Sequence, residues 1–214
     1  MNLNLFLNYA WENPFFYGAW ILVTAFSICV HEYAHARVAQ WCGDDTAADA
    51  GHLTLNPFKQ MGKAALFALL MVGIAWGGVP VDRKRLRTRG HIALAAFAGP
   101  AANLLLALVS ALLWATVVRG DLCDGEAGHV ALFLNYAVYA NSTLFIFNML
   151  PVPILDGWSV GGLFFPSMLK ITTESAAHIS WAILVLLLAT KLGNFVWDYG
   201  NLLANLLLRF LGHS

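Results

Sequence analysis

Phe15-Phe16-Tyr17-Gly18-Ala19-Trp20-Ile21-Leu22-Val23-Thr24-Ala25-Phe26-Ser27-Ile28-Cys29-Val30-His31-Glu32-Tyr33-Ala34-His35 decides how this chain folds. From Phe15 to Val30 there is no charge, and then two imidazoles and a carboxylate follow within five residues. A helix advances 3.6 residues per turn, so His31 and His35 share one face and can offer two nitrogens to one metal ion. Glu32 sits beside them, where a carboxylate can work on a metal-activated water. Ionisable groups at membrane depth are costly and usually functional. The pairing points to hydrolysis within a bilayer.

Composition agrees. The 214 residues are 59% hydrophobic and 11% charged, against about a quarter charged in soluble domains. The chain reads as an all-α polytopic membrane protein, one integral-membrane domain over 1–214 with no large soluble appendage. Net charge is zero, which gives no sign of nucleic-acid binding. No residue before Glu12 is charged, so the basic n-region of a signal peptide is missing and the first apolar segment is expected to stay as a span. Cys29, Cys42 and Cys123 form no C-x-x-C pair and read as apolar fillers.

Working outward, residues 2–13 read as interfacial and the first span as roughly 14–40, ended by Gly43-Asp44-Asp45. Gly51-His52-Leu53-Thr54-Leu55-Asn56-Pro57 alternates like a short strand closed by Asn-Pro. Residues 62–79 are apolar but glycine-rich, and Arg83, Lys84, Arg85, Arg87 and Arg89 follow. Further spans are expected at roughly 91–118 and 130–150, around a polar loop at 119–128. Shorter apolar segments at 176–190 and 194–211 would form peripheral helices beside a catalytic core of about 14–165. His52, His91, His129 and His178 read as surface or loop residues.

The basic cluster should face the cytoplasm and also favours anionic lipid. The span after it then runs outward and the next runs back, which brings Asp156 to the cytoplasmic side. A metal shared by Asp156, His31 and His35 requires the first span to run inward. Residues 42–61 and 80–90 then lie on one side. On this reading 62–79 is a re-entrant or interfacial hairpin; the rival is a full crossing, which would put the histidines and Asp156 at opposite faces.

Catalytic zinc usually takes three protein ligands, and Asp156 is the best third candidate. Pro151 and Pro153 break the helix before it, and Gly157 follows. Bound zinc would acidify a water and polarise a carbonyl. Glu32 would take the proton and pass it to the leaving amine. Asn148, on the Asp156 segment, is a candidate oxyanion donor or a packing amide. Taken alone, the Gly99-Pro100 kink and Asn103 read as structural.

Three motifs, in order, resemble the site-2 protease family of intramembrane zinc metalloproteases. They are His31-Glu32-Tyr33-Ala34-His35, Gly99-Pro100-Ala101-Ala102-Asn103, and Asn148-Met149-Leu150-Pro151-Val152-Pro153-Ile154-Leu155-Asp156-Gly157. The resemblance implies His31, His35 and Asp156 as ligands of one zinc ion, Glu32 as catalytic base, and Asn148 as an aid to substrate or transition state. It implies a three-helix catalytic core cleaving transmembrane segments of other proteins. Gly51–Pro57 resembles the family's membrane-associated β-loop, which makes Leu53, Thr54 and Asn56 candidate substrate contacts, with Asn103 beside them. A substrate could join such an edge as an added strand. With no room for a PDZ or CBS module, the chain resembles the minimal form, and gating would fall to an unidentified regulatory partner.

Two other classes of function fit parts of the pattern. A metal-ion or proton-coupled transporter could use the same His/Asp cluster, but its ligands would line a pathway over several helices. A catalytically dead scaffold would have no need of Glu32. Cysteine placement and the missing leader fit a prokaryotic cytoplasmic membrane.

Overall fold

A computed structural model describes residues 6–120, 126–170, 179, 182, 183 and 192–212. The apolar segment expected at 176–190 falls almost wholly outside them, as do Cys123, His178 and residues 121–125 of the polar loop at 119–128. The described helices are α1 (Tyr9–Glu12), α2 (Pro14–Trp41), α3 (Thr46–Asp49), α4 (Pro57–Gln60), α5 (Gly62–Val72), α6 (Arg89–Arg119), α7 (Glu126–Asn148), α8 (Asp156–Gly161) and α9 (Leu192–Gly212).

Three of them are long and apolar enough to cross a membrane: Pro14–Trp41, Arg89–Val118 and Gly128–Asn148. Local chemistry sets where the first two begin. The Asn13 side chain accepts from the Phe16 amide at 3.0 Å with Pro14 behind it, and the Thr88 hydroxyl accepts from the His91 amide at 3.1 Å. At 1.5 Å per residue the 28 residues of α2 reach about 42 Å, more than a ~30 Å hydrocarbon core.

α2, α6 and α7 pack together as the core. Val23 of α2 meets Ala137 and Ala140 of α7. Ala111, Val138, Ala204 and Leu208 tie α6, α7 and α9. Small residues dominate these seams, which lets the helix axes approach closely. Large apolar side chains such as Leu22, Leu105, Leu112 and Phe210 remain exposed on the outside, as expected where the solvent is lipid.

Segment 62–79 is a hairpin. α5 has 11 residues, about 16 Å, and stops at Gly73, whose φ of +77° and amide bond to the Leu69 carbonyl turn the chain back. The return limb ends where the hairpin began, with the Gly78 amide on the Gln60 carbonyl at 3.1 Å. Buried Ala65 and Leu69 hold α5 against Ile28 and Cys29 of α2. Phe67, Leu70, Val72, Ile74 and Trp76 are exposed on its outer side.

Both flanks of the hairpin therefore sit at one end of the bundle. Asp44, fully buried, accepts from the Thr46 amide at 3.0 Å and from the Asp82 amide at 2.7 Å. Leu86 of the basic loop packs on Ala39 and Cys42 at the end of α2.

The strand expected over Gly51–Pro57 is absent. The stretch is an irregular loop. The buried Gln60 side chain donates to the His52 carbonyl at 2.8 Å and to the Thr54 carbonyl at 2.6 Å, so these groups are satisfied without a β-ladder. Residues 74–79 instead run free of helix, and there exposed and half-buried residues alternate one by one, the pattern of an extended chain.

Asp44 is the fastening most open to test. Charge-assisted hydrogen bonds contribute about 1.5–3 kcal/mol each. Asp44→Ala is expected to lower the melting temperature in detergent and to open residues 82–89 to trypsin. An unchanged melting curve and digest would mean that Asp44 does not hold this loop.

Candidate metal centre

α2 presents His31 and His35 one turn apart, with Glu32 between them; all three are buried. α7 ends at Asn148, Pro151 and Pro153 prevent its continuation, and the chain re-enters a helix at Asp156, the first residue of α8. Gly157 permits that re-entry, since a Cβ there would fall 2.3 Å from the Met149 carbonyl oxygen.

These elements bring three ligand atoms to one point. His31 Nε2 and His35 Nε2 are 2.9 Å apart, and Asp156 Oδ2 lies 3.1 Å from the first and 3.3 Å from the second. Bonds of about 2 Å to a tetrahedral ion separate ligands by about 3.3 Å. The observed triangle is close to one face of such a site.

The outer nitrogens explain why a cation belongs there. His31 Nδ1 faces Asn103 Oδ1 at 2.6 Å, and His35 Nδ1 faces the Ala95 carbonyl at 2.7 Å. A carbonyl oxygen only accepts, so each Nδ1 carries the proton and donates. Both Nε2 lone pairs then point inward at a carboxylate oxygen. Three electron-rich atoms at this spacing repel one another unless a positive charge lies among them. Outward Nδ1–H donors are also the usual support of metal-bound histidine.

Two glycines shape the site. A Cβ on Gly99 of α6 would fall 2.3 Å from His35 Nε2 and 2.6 Å from His31 Nε2. A Cβ on Gly77 of the return limb would fall 2.6 Å from Glu32 Cγ and 2.7 Å from its Oε1. The extended limb therefore passes directly over the Glu32 carboxylate. No described residue hydrogen-bonds that carboxylate.

The other sequence candidates lie as follows. Asn103 is fully buried, with its oxygen on His31 and its amide nitrogen 3.0 Å from Asn141 Oδ1. No face of it is exposed in this structure. Asn148 donates to the Leu144 carbonyl of its own helix at 3.0 Å. Asn56 caps α4 through the Phe58 amide, and the Thr54 hydroxyl accepts from the Asn56 amide. Leu53 is half-buried in the same loop. Cys29 and Cys42 are buried free thiols. Ala95 and Asn141 went unremarked in the sequence, and Gly77 and Gly99 were read there only as backbone features, without contact to the site. Asn141 alone carried a signal there, as a second amide inside an apolar span.

Comparison with known proteins gives the cluster its context. The chain is 32% identical over 188 residues to the "Putative zinc metalloprotease YwhC" of Bacillus subtilis, a match covering 85% of each. It is 35% identical over 150 residues to the "Putative zinc metalloprotease Rip2" of Mycolicibacterium smegmatis, and 33% over 153 residues to that of Mycobacterium tuberculosis. Both Rip2 matches cover 66% of this chain and 56% of the relative. No protein-family model and no solved structure matches the chain. Two imidazoles and one carboxylate are a catalytic zinc set, so the cluster and the relatives agree on the metal.

Metal analysis of purified protein tests the ligand set. Wild type is expected to hold one zinc, and His35→Ala and Asp156→Ala to lose it. Gly99→Ala should also lose it, because the methyl group would crowd the point where the two Nε2 atoms meet. Full zinc content in Asp156→Ala would refute the third ligand.

Proposed function

Because the chain belongs to a zinc metalloprotease family together with YwhC, we propose that it is an intramembrane endopeptidase of the site-2 protease type that cuts transmembrane segments of other proteins. One observation carries this reading. His31 Nε2, His35 Nε2 and Asp156 Oδ2 converge beside a buried, unpartnered Glu32 within an apolar span. His31 and His35 precede the end of α2 by about 15 and 9 Å of helix axis. That depth is below the headgroups and within reach of water from the nearer surface.

Each residue then has a task. His31, His35 and Asp156 hold zinc, which supplies Lewis acidity to a water and to the scissile carbonyl. Glu32 takes the proton of the attacking water and delivers it to the leaving amine. Asn148 stands at the end of the segment that carries Asp156 and is assigned to the substrate or the oxyanion. Transport is the weaker reading, since these ligands share one point rather than lining a path.

A peptide bond inside an intact helix is shielded, so the substrate must be extended at the cut. We assign the pairing edge to the return limb 73–79 rather than to Gly51–Pro57. Among the described residues the backbone amides of Ile74, Ala75, Trp76 and Gly77 make no hydrogen bond. Their limb crosses Glu32. An extended peptide laid against it would gain main-chain bonds beside the base. The exposed apolar side of the hairpin fits re-entry into lipid, and the basic run 83–89 fits a cytoplasmic face for this end of the bundle. The proposed location is a prokaryotic cytoplasmic membrane.

Proteoliposomes with a transmembrane substrate test the proposal. Glu32→Gln should keep its zinc and lose cleavage by about a thousandfold. Undiminished turnover would remove Glu32 from the mechanism. Gly77→Val should also keep zinc, yet cut about a hundredfold more slowly, because its side chain displaces limb or carboxylate.

A further inference from the structure

We infer that Asn141 is a positioning residue for the metal centre: through Asn103 it fixes the His31 imidazole with its proton on Nδ1 and its lone pair on Nε2. The inference rests on the metal centre and not on the proposed substrate.

The argument begins at a group whose role is unambiguous. The Ala137 carbonyl oxygen can only accept, and Asn141 Nδ2 donates to it at 2.9 Å. That bond turns Asn141 Oδ1 the other way, toward Asn103 Nδ2 at 3.0 Å. Asn103 must therefore present its nitrogen to Asn141 and its oxygen to His31, 2.6 Å from Nδ1. An oxygen there requires a proton on Nδ1, which leaves Nε2 free for the metal. Polarity is handed from a backbone carbonyl of α7, across α6, to a ligand on α2.

Asn141 is what makes the order unique. An isolated carboxamide can flip and would then offer N–H to His31 Nδ1, forcing the proton to Nε2 and blocking the metal. The other neighbour of Asn103 Nδ2 is the Ser27 carbonyl at 3.5 Å, a weak hold. Asn103 and Asn141 are both buried, so a flip would leave like groups facing each other without water to relieve them. His35 needs no relay, because its Nδ1 meets a backbone carbonyl directly. One ligand is oriented by the backbone and the other by two amides in series.

A double-mutant cycle on zinc affinity, measured by chelator competition on purified protein, tests this. Asn103→Leu is expected to weaken zinc by about 10–100-fold, and Asn141→Leu by about tenfold. The double variant should be no weaker than Asn103→Leu, because Asn141 acts through Asn103. Independent, multiplying losses would overturn the relay. Asn141→Gln keeps an amide that can both donate and accept and should retain more affinity than Asn141→Leu; equal losses in the two count against the relay. Ser142→Ala deletes a buried hydroxyl that has no partner one residue away and should leave zinc binding unchanged. An equal loss there would reduce Asn141 to packing. If the leucine variants do not fold, cadmium-loaded wild type carries the test by NMR. Nitrogen–cadmium coupling is expected at Nε2 of His31, and coupling at Nδ1 would overturn the inference.

Discussion

Three electron-rich atoms held about 3 Å apart in a buried site form an arrangement that no protein keeps without a reason. Everything around the metal centre serves that convergence. α2 supplies two of the atoms by helical periodicity alone. α6 comes close enough to accept from both outer nitrogens only because Gly99 presents no side chain. The third atom arrives from a chain reversal that two prolines compel and a glycine permits. The field of a bound dication would balance the cost of burying a carboxylate against two lone pairs, and the folded protein stands ready for it.

Much of this was legible in the sequence, and the reasons are physical. The spacing of His31 and His35 is a property of any helix, so their shared face followed without tertiary information. Pro151 and Pro153 announced a break before Asp156, but not that Asp156 itself would open the short helix that resumes after it. The three spans followed from hydropathy. Residues whose roles depend on what approaches them were less legible. Asn103 looks like a packing amide or a substrate contact until α2 and α7 close around it. Gly77 and Gly99 act by lacking a side chain, and a sequence does not say what would have been struck.

The loop over Gly51–Pro57 shows why alternation misled. Its pattern suits a strand, but Gln60, a few residues on, takes up two of its carbonyls with one side chain. Backbone groups need partners, and any partner will serve. The extended chain that the site does contain follows α5, where composition is dominated by glycine and carries little strand propensity. The same limb packs against α2 through its covered residues and turns its other face outward, so it adds an open backbone edge to an otherwise helical molecule.

Asp156 follows His31 only after the second and third spans have been made. During synthesis the first helix therefore enters its surroundings with two imidazoles and a carboxylate but without the group that completes the cage. A nascent chain therefore lacks the full set of three ligand atoms until the last of the core helices has docked, so the metal site is a product of the finished architecture.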